Sequence, residues 1–106
     1  IIAASGLGDG LLMMSAFHNC EKIGFTPILF HEKSELLKPL FPKARIEPLM
    51  DNFCEALEQF DLIILENDHG RVAWTLFRER RRGKFKQMRV LFPSPSTEKK
   101  WLAIFS

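Results

Sequence analysis

The sequence has no tyrosine, only two cysteines, and no apolar run long enough to cross a bilayer as a helix. A membrane-spanning helix needs about 20 consecutive apolar residues, so no such span is expected. Cys20 and Cys54 lack the spacing of a metal or redox motif, and we expect both to be buried thiols on helix faces. The start also lacks the basic region and cleavage site of a secretory signal. These absences predict a cytoplasmic protein.

The composition is that of an ordinary globular domain. Among the 106 residues, 46% are hydrophobic and 26% are charged, and the net charge is +2. We therefore expect one small folded domain, and the net charge alone implies no polyanionic partner. The sequence begins inside an apolar run and stops at another, "WLAIFS". We interpret residues 1–106 as a single domain cut from a longer chain.

Short apolar runs alternate with segments of helical periodicity. The runs predict strands at residues 1–4, 26–30, 44–49, 61–65 and 88–92. The periodic segments predict helices at residues 11–23 and 34–41, a third that carries Phe53 and Phe60, and a fourth with Ala73 and Phe77 on its apolar face. Gly24 and Gly83 end the first and the last of them. Residues 98–105 favour neither structure. The alternation is typical of right-handed βαβ crossovers, and it predicts a Rossmann-like three-layer α/β/α fold with a mainly parallel sheet.

The first predicted strand runs into the sequence "SGLGDG", and ligands of such sheets bind at the carboxyl ends of the strands. Gly6, Gly8 and Gly10 have two interpretations of equal weight. They either keep the floor of a cleft low so that a sugar or phosphate can approach, or they make a tight turn from strand to helix.

A dinucleotide site is disfavoured at this loop. The spacing G-x-G-x-x-G requires glycine at position 11, where Leu11 stands. The Asp9 carboxylate would also repel a pyrophosphate at the start of the helix. An NAD-dependent oxidoreductase is therefore the weakest of our alternatives, and we expect no bound cofactor.

Three segments together resemble one enzyme family. "SGLGDGLLMMSAF" resembles the opening of the heptosyltransferase-like enzymes, glycosyltransferase family nine, and "LFPKARIEPL" and "FDLIILENDHGRVAWTLFRERR" resemble its later segments. The similarity extends over most of residues 1–92. Ser15 stands where the family often has proline, and Leu65 and Glu66 end a strand that often ends in aspartate.

The resemblance implies the amino-terminal, acceptor-binding half of a GT-B glycosyltransferase. Such an enzyme transfers a sugar, with heptose as a candidate, from a nucleotide-sugar to a bacterial lipopolysaccharide-type acceptor. It inverts the anomeric carbon and requires no metal. A second domain would bind most of the donor, so the fragment alone would be inactive. The alternative from another class is a stand-alone Rossmann-like binding or regulatory module.

The resemblance also implies roles for particular residues. Asp9 matches the proposed general base of the family, which takes the proton of the acceptor hydroxyl. Spacing alone favours a simpler role for Asp9, as the cap of the first helix. Arg71 matches a family arginine and would bind an anionic acceptor bidentately, with Asn67 and His69 beside it. His69 and His31, taken alone, are more typical of solvated loop residues.

The segment "RERRRGKFK", from Arg78 to Lys86, places six basic side chains within nine positions. A solvated helix end is the favoured interpretation, because cations complement the negative end of a helix. The functional alternative is attraction to anionic lipid headgroups, in peripheral contact with the inner membrane, or to acceptor phosphates. Nucleic acid is not expected, since stacking aromatic residues in a known pattern are missing. We expect Trp74 to pack in the core rather than to stack on a sugar.

Overall fold

The computed structural model describes residues 1–4, 6–67 and 70–91. Within them, the helices are α1 (Leu7–Lys22), α2 (Ser34–Leu37), α3 (Phe53–Leu57) and α4 (Arg71–Arg81), and a 3₁₀ turn follows α2 at Lys38–Leu40. The strands are β1 (Leu29–His31), β2 (Ile46–Pro48), β3 (Ile63–Glu66) and β4 (Met88–Leu91). Residues 98–105 lie outside the described part of the chain.

The strands form two parallel pairs that meet at residues 1–4, which we call the first segment. β1 pairs with β2, and β3 pairs with β4. Ile2 forms parallel bridges to Phe30 of β1 and to Leu65 of β3. Its N–H donates to the carbonyl of Ile64 at 2.8 Å, and its carbonyl accepts from the N–H of Glu66 at 2.9 Å. The order across the molecule is therefore β2, β1, first segment, β3, β4, which confirms an α/β fold with parallel strands.

Two hydrophobic clusters form the core, and each uses different helices. One cluster combines Ile2 with side chains of α3, α4, β3 and β4 and with Phe85: Phe53, Leu57, Ile63, Leu65, Ala73, Leu76 and Met88. The other combines Ala3 with side chains of α1, α2, β1 and β2: Met13, Met14, Phe17, Leu29, Leu37 and Ile46. Ile63 and Leu65 belong to the first cluster, whereas Ile64 packs against the second. Successive side chains of β3 therefore serve different clusters, as the pleat of a strand requires.

The two glycines that were predicted to end helices do so in the structure. Gly24 and Gly83 adopt φ of +96° and +97° directly after the ends of α1 and α4, so both predicted helix ends are confirmed. The N–H of Phe25 donates to the carbonyl of Cys20 at 3.0 Å, and Lys84 donates to Glu79 in the same way at 3.0 Å. This closure uses carbonyl groups that a helix end leaves without a partner, and glycine allows the left-handed residue it needs.

Several predicted boundaries were wrong. The strands predicted at 26–30 and 44–49 are shorter or shifted, at Leu29–His31 and Ile46–Pro48, and α3 ends at Leu57, before the predicted Phe60. The segment predicted as one helix over 34–41 divides, because α2 ends at Leu37 and a 3₁₀ turn containing Pro39 follows; proline has no N–H to continue an α-helix. The first helix begins at Leu7 rather than Leu11, and Gly6 is its N-cap residue with φ of −69°. Gly8 and Gly10 therefore lie inside α1, and the predicted turn of three glycines does not form.

Among the described residues, no helix combines the length and the apolar character that crossing a bilayer requires.

Candidate functional site at the carboxyl ends of the strands

The carboxyl ends of parallel strands meet at one edge of a sheet, and five chain segments end there, including β2, whose Pro48 pairs with His31. The first segment leads into α1, β1 ends at His31, and β3 ends at Glu66 before α4 begins at Arg71. β4 ends at the same edge, with Leu91 paired to Glu66. This edge contains Asp9, Asn67 and Arg71, three of the residues that the sequence singles out.

His31 is fully buried at this edge. Its Nε2 lies 2.9 Å from the carbonyl oxygen of Gly6, and its Nδ1 accepts the N–H of Lys33 at 2.8 Å. A carbonyl can only accept, so these partners assign a neutral imidazole with its proton on Nε2. The expectation of a solvated loop histidine was wrong. β1 continues through residue 31, and His31 points to the same side as the buried Leu29, two residues earlier.

Glu66 holds the chain on the other side of the first segment. It is only 6% exposed, and its Oε1 accepts the N–H of Ala4 at 2.8 Å. His31 and Glu66 thus fix the backbone at Gly6 and Ala4 from two neighbouring strands. Sequence reasoning treated Glu66 as a departure from the family pattern and missed this role. The available signal was a carboxylate placed directly after the apolar run "DLIIL".

Asp9 is half-buried in the first turn of α1. A Cβ atom added to Gly6 would lie 2.6 Å from Oδ2 of Asp9, so the carboxylate lies directly over Gly6. The N-cap residue is Gly6, with no side-chain capping bond, so the interpretation of Asp9 as the cap was wrong. The first N–H groups of a helix lack partners within it and favour negative charge nearby. The structure therefore holds a partly accessible carboxylate at this end of α1.

The three glycines have three different surroundings. Gly6 leaves room for the Asp9 carboxylate. A Cβ on Gly10 would lie 2.7 Å from Cδ1 of Leu37 and 3.0 Å from two atoms of the His31 ring, so Gly10 allows α1 to pack closely against β1 and α2. Gly8 is exposed, and a Cβ there would meet nothing within 4 Å. Packing thus accounts for Gly10, and substrate contact by any of the three stays a prediction.

The described residues on either side of the loop after β3 contact β4 and Asp51. The N–H of Asn67 donates to the carbonyl of Leu91 at 3.0 Å, which places Asn67 at the end of β4. The guanidinium of Arg71 lies 3.6 Å from the carboxylate of Asp51, and both side chains are largely exposed. Within the described part of the chain, these contacts join Arg71 to Asp51 and do not join it to Asp9. His69 lies outside the described residues.

An open groove of about 520 Å³ begins beside Asn67. It runs between α4 and β4, and its lining includes Arg80, Arg81 and Arg89. A separate pocket of about 280 Å³ lies near the amino ends of the strands, where Phe25, Pro27 and Phe60 line it. The groove is therefore the cavity that lies beside predicted site residues, and its charge suits an anion.

Neither cysteine belongs to the carboxyl edge. Both thiols are free; Cys20 is buried, as predicted, and Cys54 is half-buried. Burial raises the pKa of each thiol above its ordinary value. Across residues 1–4, 6–67 and 70–91, no three His, Cys, Asp or Glu side chains are grouped closely enough to hold a metal ion.

No protein-family model matches this chain, no curated protein matches its sequence significantly, and no solved structure matches it significantly. Function is therefore inferred from the residues at the carboxyl edge and from the order of the strands.

Proposed function

We propose that the chain is the acceptor-side domain of an inverting glycosyltransferase of the heptosyltransferase type, built as a three-layer Rossmann-like unit. Support for the layers comes from the strand order, with the first segment in the middle, and from the two clusters that receive alternate side chains of β3. Crossovers between parallel strands place helices on both faces of a sheet in such folds.

The position of Asp9 carries the proposal. Its carboxylate lies on the first turn of the helix that follows the middle segment, directly over Gly6. His31 and Glu66 hold that stretch of backbone from both sides. A general base must be held within hydrogen-bond reach of the proton that it removes, and a fixed backbone provides such positioning.

In the proposed reaction, the acceptor hydroxyl oxygen attacks the anomeric carbon of the donor sugar while its proton passes to the Asp9 carboxylate. The bond between that carbon and the phosphate oxygen of the donor breaks, and a nucleoside diphosphate leaves. Attack from the opposite face inverts the anomeric carbon. The donor would be bound mainly by a second domain of the complete enzyme.

The basic groove beside Asn67 supports an anionic acceptor. Arg81 and Arg89 line it, and Arg71 lies at the start of the adjacent helix. Guanidinium groups bind carboxylate and phosphate oxygens bidentately, and a lipopolysaccharide-type acceptor carries both. We assign acceptor binding to this side of the edge, with Asn67, His69 and Arg71 as the predicted contacts.

The first test is the intact mass of the protein from its source cell, followed by a transfer assay with nucleotide-sugar donors on the complete chain. In an active enzyme, Asp9→Asn should lower turnover about 10²- to 10⁴-fold, the usual contribution of a general base. It should lower stability to urea by no more than about 1 kcal/mol, the contribution of a negative charge at the start of a helix. Asp61→Asn is the matched control, because Asp61 is exposed and lies before β3. Near-normal turnover of Asp9→Asn would remove the catalytic assignment. A native chain of 12.3 kDa without transfer activity would favour the binding module instead.

A further inference from the structure

The outward face of α4 carries a tryptophan within a row of arginines. Trp74 is 65% exposed, so the expectation that it packs in the core was wrong. Arg71, Arg78, Arg81 and Arg82 are also exposed. Counted from Arg71, the other four residues follow at three, seven, ten and eleven positions. This spacing places all five side chains on one side of the helix, which we call the Trp74 face. Ala73 and Leu76 supply the buried side of the same helix.

Positive charge predominates on the Trp74 face. The carboxylate of Glu79 lies 3.3 Å from Arg82 and 3.8 Å from Arg78, but its side chain is only 15% exposed. Asp51 lies 3.6 Å from Arg71 at one end of the face. Two carboxylates thus oppose four guanidinium groups, which remain accessible to an external anion.

The basic segment from Arg78 to Lys86 is not uniform. Arg80 lies over the ring of Phe77, at 5.5 Å from its centroid, and Lys84 binds the carboxylate of Glu58 at 3.1 Å. These two cations, like Arg71, Arg78 and Arg82, therefore have partners within the domain. The arginines of the Trp74 face differ from Arg80 because they share their side of α4 with the exposed indole of Trp74.

We infer that the Trp74 face binds the surface of an anionic lipid bilayer, with α4 lying along the headgroups. Tryptophan favours the interface between water and hydrocarbon, because its ring is apolar and its N–H is polar. Guanidinium groups bind lipid phosphates bidentately, and each basic side chain near an anionic surface strengthens attachment. Charge complementarity selects the anionic bilayer as the occupant. The inference is independent of the assignment of Asp9.

The test is flotation of the purified full chain with phosphatidylcholine vesicles, with and without phosphatidylglycerol. We expect binding only to the anionic vesicles, and binding should weaken as sodium chloride is added. Arg78→Gln together with Arg81→Gln should weaken binding by about fivefold for each guanidinium removed. Lys43→Gln together with Arg45→Gln is the matched control, because it removes equal charge beside β2, at the opposite edge of the sheet.

Trp74 provides a second measurement. In a Trp101→Phe background, its fluorescence should shift to the blue on anionic vesicles and remain unchanged on neutral ones. Trp74→Ala should lower binding several-fold, whereas Ile23→Ala, which truncates a side chain that is 73% exposed, should leave it unchanged. Equal binding by the paired arginine variants, or by Trp74→Ala and wild type, would overturn the inference. The inference would also be overturned if these residues were needed for RNA binding or for self-association but not for vesicle binding.

Discussion

The imidazole of His31 donates a hydrogen bond from Nε2 to the carbonyl of Gly6, which precedes it by 25 residues, at 2.9 Å. Since Nδ1 accepts the N–H of Lys33, both ring nitrogens are engaged and the imidazole is neutral. This buried ring connects the end of β1 to the start of α1. The position of Asp9 therefore depends on a residue that takes no part in the proposed chemistry.

Replacing His31 should destabilise the domain. His31→Phe removes the hydrogen bonds to the carbonyl of Gly6, which keeps the N–H of Gly10 as a partner, and to the N–H of Lys33. Each lost hydrogen bond costs about 0.5–1.5 kcal/mol. Urea denaturation should show this loss. His18→Phe is the control, because His18 is exposed and its contacts are with nearby residues of α1, with Glu21 at 3.1 Å and with the ring of Phe17. A similar effect of both substitutions would contradict the structural role of His31.

Glu66 should be replaceable by an acceptor but not by an apolar side chain. Glu66→Gln keeps an oxygen that can accept the N–H of Ala4, whereas Glu66→Leu removes it and should cost about 1–3 kcal/mol of unfolding free energy. Hydrogen exchange of the Ala4 amide should accelerate in Glu66→Leu and change less in Glu66→Gln. Equal exchange in the two variants would show that the bond does not hold the first segment.

The two helical glycines of α1 should respond to alanine in opposite directions. Gly8→Ala meets no neighbouring atom and should stabilise the protein by about 0.5–1 kcal/mol, because alanine has the higher helix propensity. Gly10→Ala forces a Cβ against Leu37 and the His31 ring, and overpacking of this kind costs about 1–3 kcal/mol. Thermal unfolding of the two variants measures whether each substitution stabilises or destabilises the protein. Stabilisation by Gly10→Ala would refute the close packing of α1 on β1.

The thiols should be slow to alkylate in the native protein. Burial raises the pKa of both, so the reactive thiolate is scarcer than in denatured protein at the same pH. The native rate with iodoacetamide should continue to rise with pH after the denatured rate has levelled off. Peptide mapping should find Cys54 modified before Cys20, because Cys54 is only half-buried. Equal native and denatured rates would contradict burial.

Local signals predicted the fold class and several boundaries. Gly24 and Gly83 end helices through bonds that span only a few residues, so the sequence pattern was enough. The core side of α1 followed from its periodicity in the same way, since Met13 and Phe17 are buried as expected.

The errors concern residues whose environment is set by distant parts of the chain. His31 is buried because β1 pairs with β2 through residue 31, opposite Pro48. The role of Glu66 appears only when Ala4, 62 residues away, lies beside it. Trp74 is exposed because Ala73 and Leu76 turn the other side of α4 toward the core. No local pattern contains these long-range relationships.

The first segment is one of several connections between the two strand pairs, and this has a consequence for unfolding. Its hydrogen bonds join the pairs, since Ile1 and Ala3 bond with Phe30, and Ile2 bonds with Ile64 and Glu66. Each hydrophobic cluster is also contacted by both pairs: Phe30 of β1 packs against the cluster around Ile63, and Ile64 and Leu91 pack against the cluster around Leu29. The two pairs should therefore lose their structure at the same denaturant concentration, in one cooperative transition.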